Sequence, residues 1–113
     1  MLPALAHAKR GPKPKVEPVE HEGIRYTAHG DNKQQCVRAL EIKTGKVLWD
    51  VTVFHNIIIP LMEEDVQWVF IKRMYIDENK LIVVAEDDRA YGVDLKTGAV
   101  KRLKKAPPEK KQE

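Results

Sequence analysis

Hydrophobic and polar residues alternate along much of the chain between Gly23 and Leu103, with a period of two rather than 3.6. That period belongs to half-buried β-strands. In Ile24-Arg25-Tyr26-Thr27-Ala28-His29 the apolar residues hold every second position. Across 46–55, Val47, Trp49, Val51 and Val53 fall on one side, and Lys46, Leu48, Asp50, Thr52 and Phe54 on the other. The run 68–76 is apolar on both sides at its start, and 81–85 is apolar throughout, as a strand covered on both faces would be. Turn-forming residues separate these runs at Gly30-Asp31-Asn32, Thr44-Gly45, Asp77-Glu78-Asn79, Asp87-Asp88 and Thr97-Gly98. Helical periodicity is weak outside one turn's worth near Leu61 to Gln67. The pattern predicts an all-β domain over residues 23–103, with six or seven antiparallel strands in a small sandwich or partly closed barrel. Tyr26, Leu40, Val47, Trp49, Phe70, Leu81, Val83 and Val93 are its expected interior.

One stretch of the pattern occurs twice. Ala39-Leu40-Glu41-Ile42-Lys43-Thr44-Gly45-Lys46-Val47 aligns with Gly92-Val93-Asp94-Leu95-Lys96-Thr97-Gly98-Ala99-Val100, an offset of 53 residues. The strand before each copy also recurs, Ile24 to Ala28 against Leu81 to Ala85. A unit of this length is one supersecondary motif copied once. In each copy a strand ends on an acidic residue that accepts turn hydrogen bonds. A threonine then leads into a glycine able to take positive φ, and the chain returns antiparallel.

Ala39, Glu41, Gly45 and Trp49 reproduce the spacing Ala-x-Asp-x-x-x-Gly-x-x-x-Trp, with glutamate for aspartate. This resembles the tryptophan-docking repeat of pyrroloquinoline-quinone-type β-propellers. The resemblance implies propeller-blade-like units, with the glycine making a hairpin turn and the tryptophan packing between neighbouring blades. The second copy keeps Asp94 and Gly98 but has Gly92 for the alanine and Arg102 for the tryptophan. Closed propellers take about four to eight blades, and this chain has material for two. The quinone-binding residues of that family have no matching positions here, so no cofactor is expected. The segments 65–71 and 91–98 are also similar to short exported bacterial proteins of unknown function, which implies an extracytoplasmic location.

Composition changes the picture mainly at the two ends. Residues 9–22 carry three prolines among lysines and glutamates, and 104–113 are similar. Such segments bury too little surface to offset their conformational entropy, so 1–22 and 104–113 are expected to be disordered. Within 1–8, Ala6-His7-Ala8 fits a signal-peptidase site, and the stretch reads as a signal-peptide remnant. The net charge of +3 is unevenly spread: residues 23–100 hold ten basic and twelve acidic groups, and 101–113 hold six basic and two acidic. A duplex-binding face would need its surplus on the domain itself, so no nucleic acid is expected. No run approaches the ~18 apolar residues of a membrane-spanning helix.

Candidate chemistry is sparse. The chain has no serine, no glycine-rich phosphate loop and a single cysteine, Cys36, whose partner for a thiol–imidazole pair would be His29 or His55. His21, Glu22, His29 and Asp31 could flank one cation, and Glu63-Glu64-Asp65 or Glu86-Asp87-Asp88 could bind calcium. None has a recognised ligand spacing. The expectation is therefore a non-catalytic, exported interaction or scaffold module with a protein partner, or a homo-oligomer formed by edge-strand pairing. The rival is a small-ligand or divalent-metal site at the sheet end near His29, His55 and the acidic turns. Trp68, Phe70, Ile58 and Leu61 are the candidate partner surface.

Overall fold

Among the described residues eight strands form: β1 (Val19–His21), β2 (Ile24–Gly30), β3 (Gln34–Glu41), β4 (Val47–His55), β5 (Ile71–Asp77), β6 (Lys80–Ala85), β7 (Ala90–Asp94) and β8 (Val100–Leu103). The computed structural model describes residues 12–57, 60 and 68–109. Strands β1 to β4 make one four-stranded sheet in sequential order, and β5 to β8 make another. All pairings are antiparallel. No strand is shared between the sheets, so they stack as a sandwich and do not close into a barrel. Among the described residues there is no helix, hence none long and apolar enough to cross a membrane.

Alternation sorts each sheet into two faces. The inner face of the first sheet carries Tyr26, Val37, Ala39, Trp49, Val51 and Val53; that of the second carries Met74, Leu81, Val83, Tyr91 and Val93. Together they form the main core. Polar groups fix the fit between sheets. The buried Gln35 side-chain carbonyl accepts the backbone N–H of Ile71 at 2.9 Å. Asn56 Nδ2 donates to the carbonyls of Asn32 and Val69, and Asn56 Oδ1 accepts the Val69 N–H. Phe54 and Tyr91 stack at 5.5 Å, with the guanidiniums of Arg89 and Arg102 over their rings.

Register relates the two sheets in an unexpected way. On β3, Ala39 pairs with Tyr26 and Trp49. On β7 the aligned residue, Gly92, pairs with Ile82 and Lys101. Tyr26 therefore corresponds to Ile82, not to Val83 as the sequence repeat suggests. A one-residue slip moves every side chain to the opposite face. The face of the first sheet that meets the core corresponds to the face of the second that points outward. The sheets are packed head to tail, through unlike faces.

The interior differs from expectation at two positions. Val47 is 47% exposed and Leu40 only half-buried. Leu48 and Val53 have no partner on β3, which marks two bulges. The bulge at Leu48 turns Val47 onto the outer face, where it pairs with Leu40. The ends also contribute more than their composition suggests. β1 lies before Gly23 and rests against β5; Val16 packs on the core; and Ala106 packs on Tyr75, Ile82 and Val84.

Candidate interaction surface

The repeated turns form as twins. Gly45 N–H donates to the Glu41 carbonyl, and Gly98 N–H to the Asp94 carbonyl, each at 2.8 Å. Both glycines have positive φ, 76° and 80°, a region that penalises any Cβ. In the first turn Thr44 Oγ1 donates to Glu41 Oε1 at 2.6 Å. In the second, Asp94 Oδ1 accepts the N–H groups of Lys96 and Thr97. The Thr97 and Lys96 amides hold the Asp94 carboxyl below the usual carboxylate range.

Trp49 joins the sheets. Its indole N–H donates to the Leu95 carbonyl at 3.0 Å, and Tyr26 lies beside it with ring centroids 5.8 Å apart. Gly98 sits directly beneath the indole: a Cβ there would stand 2.9 Å from Trp49 Cδ2 and 3.0 Å from Val51 Cγ1. Gly45, its twin, has nothing within 4 Å of the same position. The first copy thus supplies the tryptophan and the second supplies the seat. Lys101, not Arg102, lies opposite Gly92 as Trp49 lies opposite Ala39. The difference follows from the Leu48 bulge, which β8 lacks. Beside the joint opens a cleft of about 620 Å³ lined in part by His21, Glu22, Tyr26, Leu48, Asp94 and Leu95. Burial, and to a smaller extent the Glu22 charge, pushes the Tyr26 hydroxyl pKa up.

The outer faces are opposites in character. That of the first sheet is polar over Arg25, Thr27, Arg38 and Asp50, with Leu40 and Val47 at one end. His29 Nε2 lies 2.7 Å from Asp50 Oδ1, and Arg38 Nε donates to Asp50 Oδ2 at 2.9 Å. Partial burial pushes the Asp50 carboxyl up, but hydrogen bonds from His29 and Arg38 outweigh it, leaving the pKa lowered. The outer face of the second sheet is apolar: Tyr75, Ile82 and Val84 form a second cluster with Leu103 and Ala106, beside buried Ala90 and Gly92. Residues 104–109 lie across it. Tyr75 Oη donates to the Pro107 carbonyl, and Arg73 Nη1 meets Glu109 Oε1 at 3.3 Å.

The sequence-predicted residues separate accordingly. Ala39, Glu41, Gly45, Trp49, Asp94 and Gly98 fall in the joint and its turns. Ile58 and Leu61 lie outside the described residues, as do residues 1–8 and Glu63-Glu64-Asp65. Phe70, only 6% exposed, is interior rather than a surface strip, with the Lys13 ammonium 5.4 Å from its ring centroid; Trp68 is half-buried. Cys36 is buried and contacts Thr52 Oγ1 at 3.6 Å; it neighbours His29 across the β2–β3 pair. Among the described residues, no three His, Cys, Asp or Glu side chains come together to hold a metal ion. The turn carboxylates are engaged: Asp87 with Arg89, Asp88 with Lys72, and Glu86 with the Phe70 N–H. Gln35 and Asn56, which hold the sheets together, carry no local pattern that marks them; only the stacked sheets reveal their role.

No protein-family model matches the chain, and no curated protein is similar to it.

Proposed function

We propose that this protein is a non-catalytic, exported interaction or scaffold module, built from two blade-like repeats of the quinoprotein type and working through a protein partner. The observation that carries the reading is the Trp49 joint. The indole of one repeat is seated on Gly98 and the Leu95 carbonyl of the next, which fits a docking repeat. The unlike outer faces, one polar and one apolar, fit a unit that meets something else on one side. The chemistry of the first sheet's outer face fits a solvated surface: the Asp50 carboxylate is already shared between His29 and Arg38, leaving little to coordinate a cation. Edge-to-edge pairing of two copies along β4 is the weaker form of the idea, because bulges at Leu48 and Val53 blunt that edge.

The test is native mass measurement and cross-linking of the full chain recovered from the cells that make it. The expected result is a defined complex with a second protein. A chain recovered alone, whose melting temperature rises with a divalent cation, would replace this reading with the small-ligand one.

A further inference from the structure

The outer face of the second sheet corresponds, residue for residue, to the face of the first sheet that is already docked. Ile82 stands where Tyr26 stands, Gly92 where Ala39 stands, and Ala90 where Val37 stands. On the first sheet that face is covered by Leu81, Val83, Tyr91 and Val93 of its neighbour. On the second, among the described residues, the cover is 104–109, a segment with three charged side chains, of which Ala106 packs on the cluster. The cover is close over Tyr75, Ile82 and Val84, each under 5% exposed, and an open groove of about 320 Å³ runs along its margin, bordered by Lys80, Ile82, Leu103 and Pro107. Folding has left an interface of the kind that builds the molecule, closed by a short polar strap.

We propose that this face is the docking site for a further β-sheet, one presenting branched aliphatic and aromatic residues as Leu81, Val83, Tyr91 and Val93 do, and that residues 104–109 are a displaceable cover occupying its place. The inference rests on the interaction-module reading and specifies the surface and the chemistry of the partner. Head-to-tail contacts of this sort are open-ended unless something stops them. Here the stops are visible: the strap at one end, and at the other the polar face of Arg25, Thr27, Arg38 and Asp50. A second wild-type copy is therefore not the occupant, because its free face is charged where an apolar one is required.

The same polar face supplies the probe. By register, Arg25 corresponds to Leu81, Thr27 to Val83, Arg38 to Tyr91, and Leu40 to Val93. A full-length variant, R25L/T27V/R38Y/D50R, carries the required face on its first sheet. In light scattering it should associate head to tail while the wild type stays monomeric. Adding Y75F/A106D, which loosens the strap, should tighten association by about tenfold, since the closed strap lowers the competent fraction. Ile82→Lys should abolish it. A grafted variant that is folded by circular dichroism yet monomeric with the strap loosened would overturn the proposal. If the graft does not fold, the wild-type sheet with Y75F/A106D alone answers. It should bind a hydrophobic dye, and Ile82→Lys should suppress that binding; absence of dye binding overturns the proposal equally. Native mass reports whether a partner exists, and the graft reports which face takes it, so either reading can fail without the other.

Discussion

Gly98 and Gly45 occupy the same place in twin turns but carry different loads. Both have positive φ, so an alanine at either should lose about 1–2 kcal/mol to backbone strain alone. At Gly98 the new methyl also meets the Trp49 indole at 2.9 Å. Gly98→Ala should therefore destabilise by about 2–4 kcal/mol, against about 1–2 kcal/mol for Gly45→Ala, as read by urea unfolding. In a Trp49→Ala background the extra loss at Gly98 should disappear, because neighbours that share a contact are not additive. A Gly98 effect that survives removal of the indole would show that the two residues are not coupled. Gln35 makes a comparable case through satisfaction of a buried donor. Gln35→Leu leaves the Ile71 N–H facing an apolar wall, and should lose about 1–3 kcal/mol in the same assay. Asp94 adds a pH dependence. The Thr97 and Lys96 amides favour its ionised form in the folded state, so its contribution is present above about pH 4, where the unfolded carboxyl is also ionised. That contribution is lost as pH falls through the lowered folded value. Asp94→Asn keeps an acceptor for the turn but removes the titration. Melting temperature followed from neutral to acid pH should fall less steeply in the variant than in the wild type.

The bulge at Leu48 decides how one element differs from its copy. Without it, and with Trp49 held opposite Ala39, Leu48 would pair with Leu40 and Val47 would fall on the same inner face as Trp49. With the bulge, Val47→Ala should be nearly neutral, within about 0.5 kcal/mol, while Val83→Ala, in the middle of the core, should lose about 2 kcal/mol or more. Similar losses at the two positions would mean that the bulge is absent in solution. The contrast explains what could be read in advance. Strand positions and the twin turns were legible because period-two alternation and Thr-Gly punctuation are local signals. The seat of Trp49 was not legible in this way: Ala39, Gly45 and Trp49 stand at fixed spacing within one hairpin, but Leu95 and Gly98 belong to the other sheet and no local pattern ties them to the indole. A bulge leaves no local trace, so Val47 reads as interior when it is not. The strand-to-strand alignment of the repeats was also off by one, since Ile24 to Ala28 and Leu81 to Ala85 are similar in hydrophobicity in either register. Only backbone pairing distinguishes them, and that single residue inverts the faces. β1 and the strap were illegible because their few apolar residues, Val16, Val19 and Ala106, matter only once a neighbouring sheet is present to receive them.

Neither sheet is a stable object by itself. A lone four-stranded meander of this size has one apolar face to hide and no second layer to hide it in. Here that layer is the other sheet, and the shared core draws equally on Tyr26, Val37 and Ala39 from one and Leu81, Val83 and Val93 from the other. At one margin β1 lies beside β5; farther across, the Trp49 indole spans the gap to Leu95. The residues holding the sheets in register, Gln35, Asn56 and Trp49, each pair a side chain on one with backbone on the other. Opening the sandwich therefore breaks these bonds and exposes both inner faces together. The whole molecule should unfold in one transition. Near-ultraviolet signals from the Trp49 environment and far-ultraviolet signals from the strands should give coincident urea curves. Amide exchange should be slowest along β6, where Leu81 to Ala85 are all buried, and fastest at β1 and β8. Within that single transition, Trp49→Ala should lower the midpoint without separating the two curves, because the sheets still share the rest of their core. Two resolved transitions in the wild type would mean that each sheet finds its stability alone, and the head-to-tail packing would then be an addition to the fold instead of its foundation.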